Sequence, residues 1–231
     1  MDEHLSFDQH ISAKVKKANS MSAIIRRTFQ HLDHKAFIPL YKTFVRTHLN
    51  YASSVWYPYK SKHIEQVEGV QRRATQQIPG FSVLTYEERL KQLKLPSLKY
   101  RRYRGDMIEM FKLSSGKYDP TVTDFIKYRK NYTSRETGRG NSKKLFVQRT
   151  KLDLRKYSFT VRTAKLWNSL PEAIVSAKSL NSFKNKLDKF WEKQDVRYNY
   201  KADITYGSHI TSYDSESDEE DLDGPVSEIS P

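Results

Sequence analysis

Residues 86–112 read YEERLKQLKLPSLKYRRYRGDMIEMFK and constrain the fold more tightly than any other stretch. Thr85-x-x-Glu88 is a capping box that opens one helix. Pro96 stops the link and Ser97 caps a second helix. On that second helix Tyr100, Tyr103, Met107, Met110 and Phe111 recur at helical spacing and form one apolar stripe. Arg101, Arg102 and Lys112 are expected on the opposite side. One face can thus anchor in a core while the other offers guanidinium forks to phosphate oxygens. The same residues have a purely structural reading. Arg102–Asp106 and Glu109–Lys112 have the spacing of intrahelical ion pairs on a solvated face.

The N-terminal third repeats the pattern. Phe7, Ile11, Ala18, Ile25 and Phe29 predict a helix over residues 7–29, with Lys16 and Arg27 on its far side. Asp33 can cap the next helix. There Phe37, Leu40, Tyr41, Phe44, Val45, His48 and Leu49 form a stripe that Pro39 should kink. Ser61 opens a third helix, with Ile64, Val67, Val70, Ala74 and Ile78 inside and Arg72 and Arg73 toward water. Pro79-Gly80 closes it. Three amphipathic helices with short links suggest a small bundle over residues 7–78, with helices 86–93 and 98–113 beside it.

Beyond residue 113 the text changes. Residues 114–142 have little periodicity and read as a loop. From Lys143, the alternation of Leu145 and Val147, and of Phe159 and Val161, leaves room for one or two short β-strands. Phe159 to Leu170 fits a helix equally well, ended by Pro171, with Trp167-Asn168 as a structural pair. Ser179 or Asn181 caps a last helix carrying Phe183, Leu187, Phe190 and Trp191. The expected fold class is mainly α: a helical bundle, then a small helical module, then a disordered tail. The expected segments are 1–116, a linker over 117–142, a module over 143–193, and an acidic tail over 194–231.

Charge narrows the partners. The net charge is +14, but it is unevenly spread. Residues 1–193 hold 39 basic and 17 acidic side chains, a net of +22. Residues 194–231 hold 2 basic and 10 acidic ones. Seven acids among residues 214–223 predict disorder there, and Ser215 and Ser217 are candidate phosphorylation sites. A positive body of this size favours polyanions, and RNA or DNA first among them. No stretch approaches the ~20 apolar residues of a membrane span, and no signal-peptide pattern opens the chain. With no cysteine, disulfides and thiolate metal sites are excluded, which fits an intracellular protein of nucleus or cytoplasm. His31-x-x-His34 has ligand-like spacing but no visible third ligand, so neither a metal nor another cofactor is expected. His10 and His48 read as packing histidines, and most of the 15 tyrosines as helix-interface residues.

The order of these blocks resembles the post-catalytic region of reverse transcriptases from jockey-like non-long-terminal-repeat (LINE) retrotransposons. The matching residues are Leu5-Ser6-Phe7 with His10-Ile11, then Leu40-Tyr41-Lys42, Val45-Arg46 and Tyr51-Ala52-Ser53 with Val55-Trp56. Glu68 with Gln71-Arg72-Arg73-Ala74 and Tyr86-x-x-Arg89-Leu90 follow. Leu95-Pro96-Ser97-Leu98, Arg101-Arg102-x-Arg104-Gly105-Asp106, Phe159-x-x-Arg162, the run WNSLP at 167–171 and Phe183-Lys184 complete the series. The resemblance covers roughly residues 4–190. Thr47 and Asn50 depart from it, standing where the family usually has Pro and Glu.

What the resemblance implies is a thumb-like helical region and the segment after it, with the fingers and palm upstream. The family's polymerase chemistry needs an aromatic-x-Asp-Asp turn to hold two metal ions. No such motif occurs here, so no polymerase activity is expected of this chain. The expected role is backbone binding of RNA or DNA through Arg72, Arg73, Arg101, Arg102, Arg104 and Lys112, beside the polymerase palm of a parent enzyme. The alternatives from another class are a structural or protein-interaction module, or a relic without function.

Overall fold

A computed structural model describes residues 7–29, 33–123, 125–129 and 141–206. The fold is mainly helical, and no β-strand forms among these residues. Helices α1 (Asp8–Thr28), α2 (His34–Leu40), α3 (Arg46–Asn50) and α4 (Ser61–Gln76) build an N-terminal bundle. Helices α5 (Tyr86–Gln92) and α6 (Leu98–Ser114) follow. The C-terminal part carries α7 (Pro120–Thr123), α8 (Asp153–Lys156), α9 (Phe159–Asn168), α10 (Glu172–Val175) and α11 (Leu180–Phe190).

The caps form where local chemistry placed them. Asp33 accepts the Ala36 N–H at 2.7 Å. Thr85 and Glu88 complete the capping box, and Ser97 accepts from Tyr100 N–H. Ser179 accepts from Ser182 N–H.

A π-turn at Tyr41–Val45 joins α2 to α3, directly after Pro39. It corrects the expected stripe. Phe37, Tyr41, Val45 and Leu49 are buried at strict four-residue spacing, while Phe44 is 50% exposed. In a pure α-helix each step of four residues drifts about 40° around the axis. The wider π-turn takes up that drift, keeps the four in line, and rotates Phe44 outward. Phe29, also expected inside, is 42% exposed where α1 ends in extended backbone.

Two hydrophobic cores meet at α6. The first holds Ile11, Ile25, Phe37, Tyr41, Val67, Leu90 and Leu98 among others. The second holds Tyr100, Met107, Met110 and Phe111 of α6 with Trp167, Phe183, Leu187 and Trp191. Phe111 and Phe183 stack at 4.3 Å between centroids. The first turn of α6 therefore borders both cores, with Leu98 in one and Tyr100 in the other. The expected linker also contributes to the second core, through Ile126 and Tyr128. The expected strands reduce to one antiparallel bridge, Tyr128 with Leu145. Asn168 covers the outer edge of the Leu145 segment, away from the bridge. Its side chain accepts from Leu145 N–H at 2.8 Å and donates to Leu145 C=O at 2.9 Å, occupying both backbone groups. Trp167 is fully buried, and its indole N–H reaches the Lys143 carbonyl at 2.9 Å.

The ordered fold runs past residue 193. Val196 and Ile204 are buried in the second core, and Ser97 N–H donates to the Arg197 carbonyl at 2.7 Å. Residues 194–206 thus belong to the folded body rather than to the acidic tail. The acid-rich run 214–223, Ser215, Ser217 and His31 lie outside the described residues.

Candidate nucleic-acid interface

Helix α6 positions most of the candidate arginines, and its first turn lies between two cores. That location decides which side chains reach water. Arg101, Arg104, Gly105, Ile108 and Lys112 follow one another at helical spacing and are all partly exposed. They form the outward stripe of α6. Arg102 leaves this stripe by about 100° and is 2% exposed.

Burial of Arg102 overturns its expected water-facing position. It faces Glu68, Asp106 and the Tyr57 hydroxyl through space, and none of its guanidinium nitrogens has a hydrogen-bond partner among the described residues. The expected Arg102–Asp106 ion pair does not form, because Arg162 takes that carboxylate. Arg162 Nε and one Nη each lie 3.0 Å from an Asp106 oxygen. The same guanidinium donates to the Ser54 carbonyl at 2.7 Å and to the Tyr157 carbonyl at 3.0 Å, and it lies 4.3 Å above the Tyr57 ring. Burial still holds the Asp106 carboxyl above the usual range, against the pull of Arg162.

A polar network runs beside it. Glu68 is fully buried and accepts Lys99 N–H at 2.7 Å and the Tyr86 hydroxyl at 2.9 Å. Gln71 accepts from the Tyr41 hydroxyl at 2.7 Å and donates to the Pro96 carbonyl at 3.2 Å. Burial raises the Glu68 pKa, and Arg102 opposes that shift. These groups tie α4, α5 and α6 together and are closed to a ligand.

The six candidate residues do not converge on one surface. Arg72 pairs with Glu65 and lies 3.3 Å from the Tyr200 hydroxyl, which donates to the same Glu65 at 2.6 Å. Arg73 is exposed on another side of α4, with Asn19 at 3.1 Å. On the α6 stripe Arg104 forks onto Asp188 of α11, and Lys112 meets Glu109 at 3.2 Å, as its spacing predicted. Arg101 is different. It forms no ion pair among those of the described residues, and its Nε is buried without an acceptor. Burial first, then the neighbouring charges of Arg46 and Arg104, push its pKa down to about 10.

Arg46 is the residue that sequence reasoning did not single out as a site. It opens α3 immediately after the π-turn, and burial lowers its pKa. Its neighbour Val45 is buried, which made the segment read as core. Its charge is felt at Arg101, whose basicity it helps to lower after burial.

The acids of the described body are largely engaged. Asp8 lies 2.9 Å from His63, and Glu87, Asp106, Glu109 and Asp188 each have a cationic partner. The exposed lysines and arginines are left as a net positive surface. Among the described residues no group of three or more His, Cys, Asp or Glu could hold a metal ion, and no helix is long and apolar enough to cross a membrane. Comparison of the chain with protein-family models, with curated proteins and with solved structures finds no match.

Proposed function

We propose that this chain is the post-catalytic, thumb-like part of a LINE-type retrotransposon reverse transcriptase, and that it grips RNA or DNA by backbone phosphates. Its contribution is binding rather than nucleotide transfer. The observation that carries the binding reading is the outward stripe of α6. Arg101, Arg104 and Lys112 lie along one side, with bare backbone at Gly105 between them. The stripe runs about 16 Å along the helix, a length over which one duplex strand presents about five phosphates. The family assignment rests on the order of sequence blocks. Phosphate contacts of this kind position a nucleic acid without reading its bases.

A structural or protein-interaction module is the second reading. The pairing of Arg72, Arg104 and Lys112 with carboxylates of the same chain favours it. Fluorescence anisotropy against salt separates the two. If about six phosphates are neutralised, log affinity falls with log salt at a slope of roughly −4 to −5, alike for unrelated sequences. No binding at low salt, or an affinity indifferent to salt, rejects the proposal. Nucleotide incorporation on a primed template by the purified chain would reject its non-catalytic part.

A further inference from the structure

We infer that a cleft in the C-terminal half is a docking site for this chain's own acidic C-terminal segment, with Leu222 as the apolar anchor. This site is independent of the nucleic-acid reading.

The cleft has a volume of about 270 Å³. Met110, Ile126 and Leu145, all buried, form its floor. Phe125 and Phe146 line it at 49% and 38% exposure. Small-molecule sites run to about 300–1,000 Å³, so this one suits one or two side chains better than a cofactor. Its charged lining is basic only. Lys127 and Arg155 are both exposed, and neither pairs with a carboxylate among the described residues. Arg155 donates instead to the neutral Gln148 amide at 2.9 Å. Ser158, Thr160 and Val161 bring the start of α9 to the same cleft. Ser158 turns its hydroxyl to the Arg155 carbonyl at 2.7 Å and leaves that helix end without a side-chain cap. The partial positive charge there adds to the two cations.

An apolar floor under a basic rim selects an apolar side chain with carboxylates close by. A phosphate group offers negative charge but nothing to cover Met110, Phe125 or Phe146. Residues 207–231 hold eight acids and no lysine or arginine. Within them Leu222 is the one large apolar residue with an acid on each side, Asp221 and Asp223. In an extended segment successive side chains point to opposite faces. With Leu222 turned to the floor, the two aspartates rise toward the rim, where the long side chains of Lys127 and Arg155 stand. The tether permits this. Ile204 shares a core with Met110, Ile126 and Leu145, so the described chain ends in the half that holds the cleft. Sixteen residues lead from Tyr206 to Leu222. Extended, they span about 50 Å, against a radius of gyration of about 17 Å for a body of this size. Docking on such a tether does not depend on protein concentration.

The chain has no cysteine, so an introduced pair reports a single contact. The test uses the full chain with Gln148→Cys at the cleft and Gly224→Cys beside the anchor. Mild oxidation closes the intramolecular disulfide, and mass spectrometry times it. Val83→Cys, at a site 87% exposed in the N-terminal half, gives with Gly224→Cys the rate of chance encounter. The cleft pair should close about ten-fold faster or more, at a rate independent of protein concentration. Adding Leu222→Ser should bring that rate close to the chance rate, and Arg155→Glu should slow it as well. Leu222→Ser lies outside the folded body, so misfolding does not account for its effect. Equal rates for the two pairs overturn the docking. A disulfide-linked dimer as the main product overturns its assignment to the chain's own tail. A rate unchanged by Leu222→Ser overturns the anchor.

Discussion

Arg162→Ala is expected to be among the most damaging single substitutions in this chain. The side chains of Arg162 and Asp106 are 10% and 5% exposed, so the ion pair is effectively out of water. Removing the arginine leaves a carboxylate with its bidentate partner gone, and frees the carbonyls of Ser54 and Tyr157. Breaking a buried pair from one side costs about 3–5 kcal/mol. For a domain of this size that is a fall in Tm of about 6–20 °C. The loss should depend on pH. Asp106 already has a raised pKa, and removing Arg162 raises it further. A carboxyl whose folded pKa lies above its unfolded value binds a proton more readily when folded. Its penalty is absent below the unfolded pKa, near 3.9, grows as pH rises through the folded value, and is constant above it. Arg162→Ala should therefore be closer to wild type at pH 4 than at pH 8. Replacing both partners, Arg162→Met with Asp106→Leu, should recover most of the stability, because no charge is then buried. The measurement is chemical or thermal denaturation of the three chains at both pH values. A loss under about 1 kcal/mol, or an equal loss at both pH values, would refute the assignment of this pair as a buried clasp.

Two further substitutions probe the surface and the C-terminal boundary. Gly105→Ala should raise stability by roughly 1 kcal/mol through helix propensity, since the new Cβ meets nothing. The same change should weaken nucleic-acid binding if a strand passes over the α6 stripe, and an unchanged affinity in anisotropy would place the strand elsewhere. Truncation after Lys193 should destabilise the body, because Val196 and Ile204 leave the core at a cost of about 1.5–3 kcal/mol each. Truncation after Tyr206 should leave Tm unchanged. It removes eight acids and no lysine or arginine, so competition between tail and phosphate predicts tighter binding at low salt and a vanishing gain at high salt. Equal affinities at every salt concentration would show that residues 207–231 do not reach the basic surface.

What the sequence determined by itself was local. Capping chemistry at Asp33, Thr85, Ser97 and Ser179 depends on residues three apart, and all four caps form. The apolar stripes of α4, α6 and α11 needed only helical periodicity to be read. The role of Trp167-Asn168 as a structural pair was legible for the same reason. A large aromatic and an amide beside a helix end have few other uses.

Tertiary structure decided the fate of each charge. Arg101 and Arg102 are adjacent and chemically identical, yet one lies on the outer stripe and the other is enclosed between two cores. A periodic pattern assigns faces to one helix at a time. It cannot show that α6 is covered on several sides by elements from both ends of the chain. Asp106 has an arginine four residues before it, but its partner lies 56 residues later. Phe44 was displaced from expectation by one π-turn, whose extra width has no counterpart in a 3.6-residue pattern.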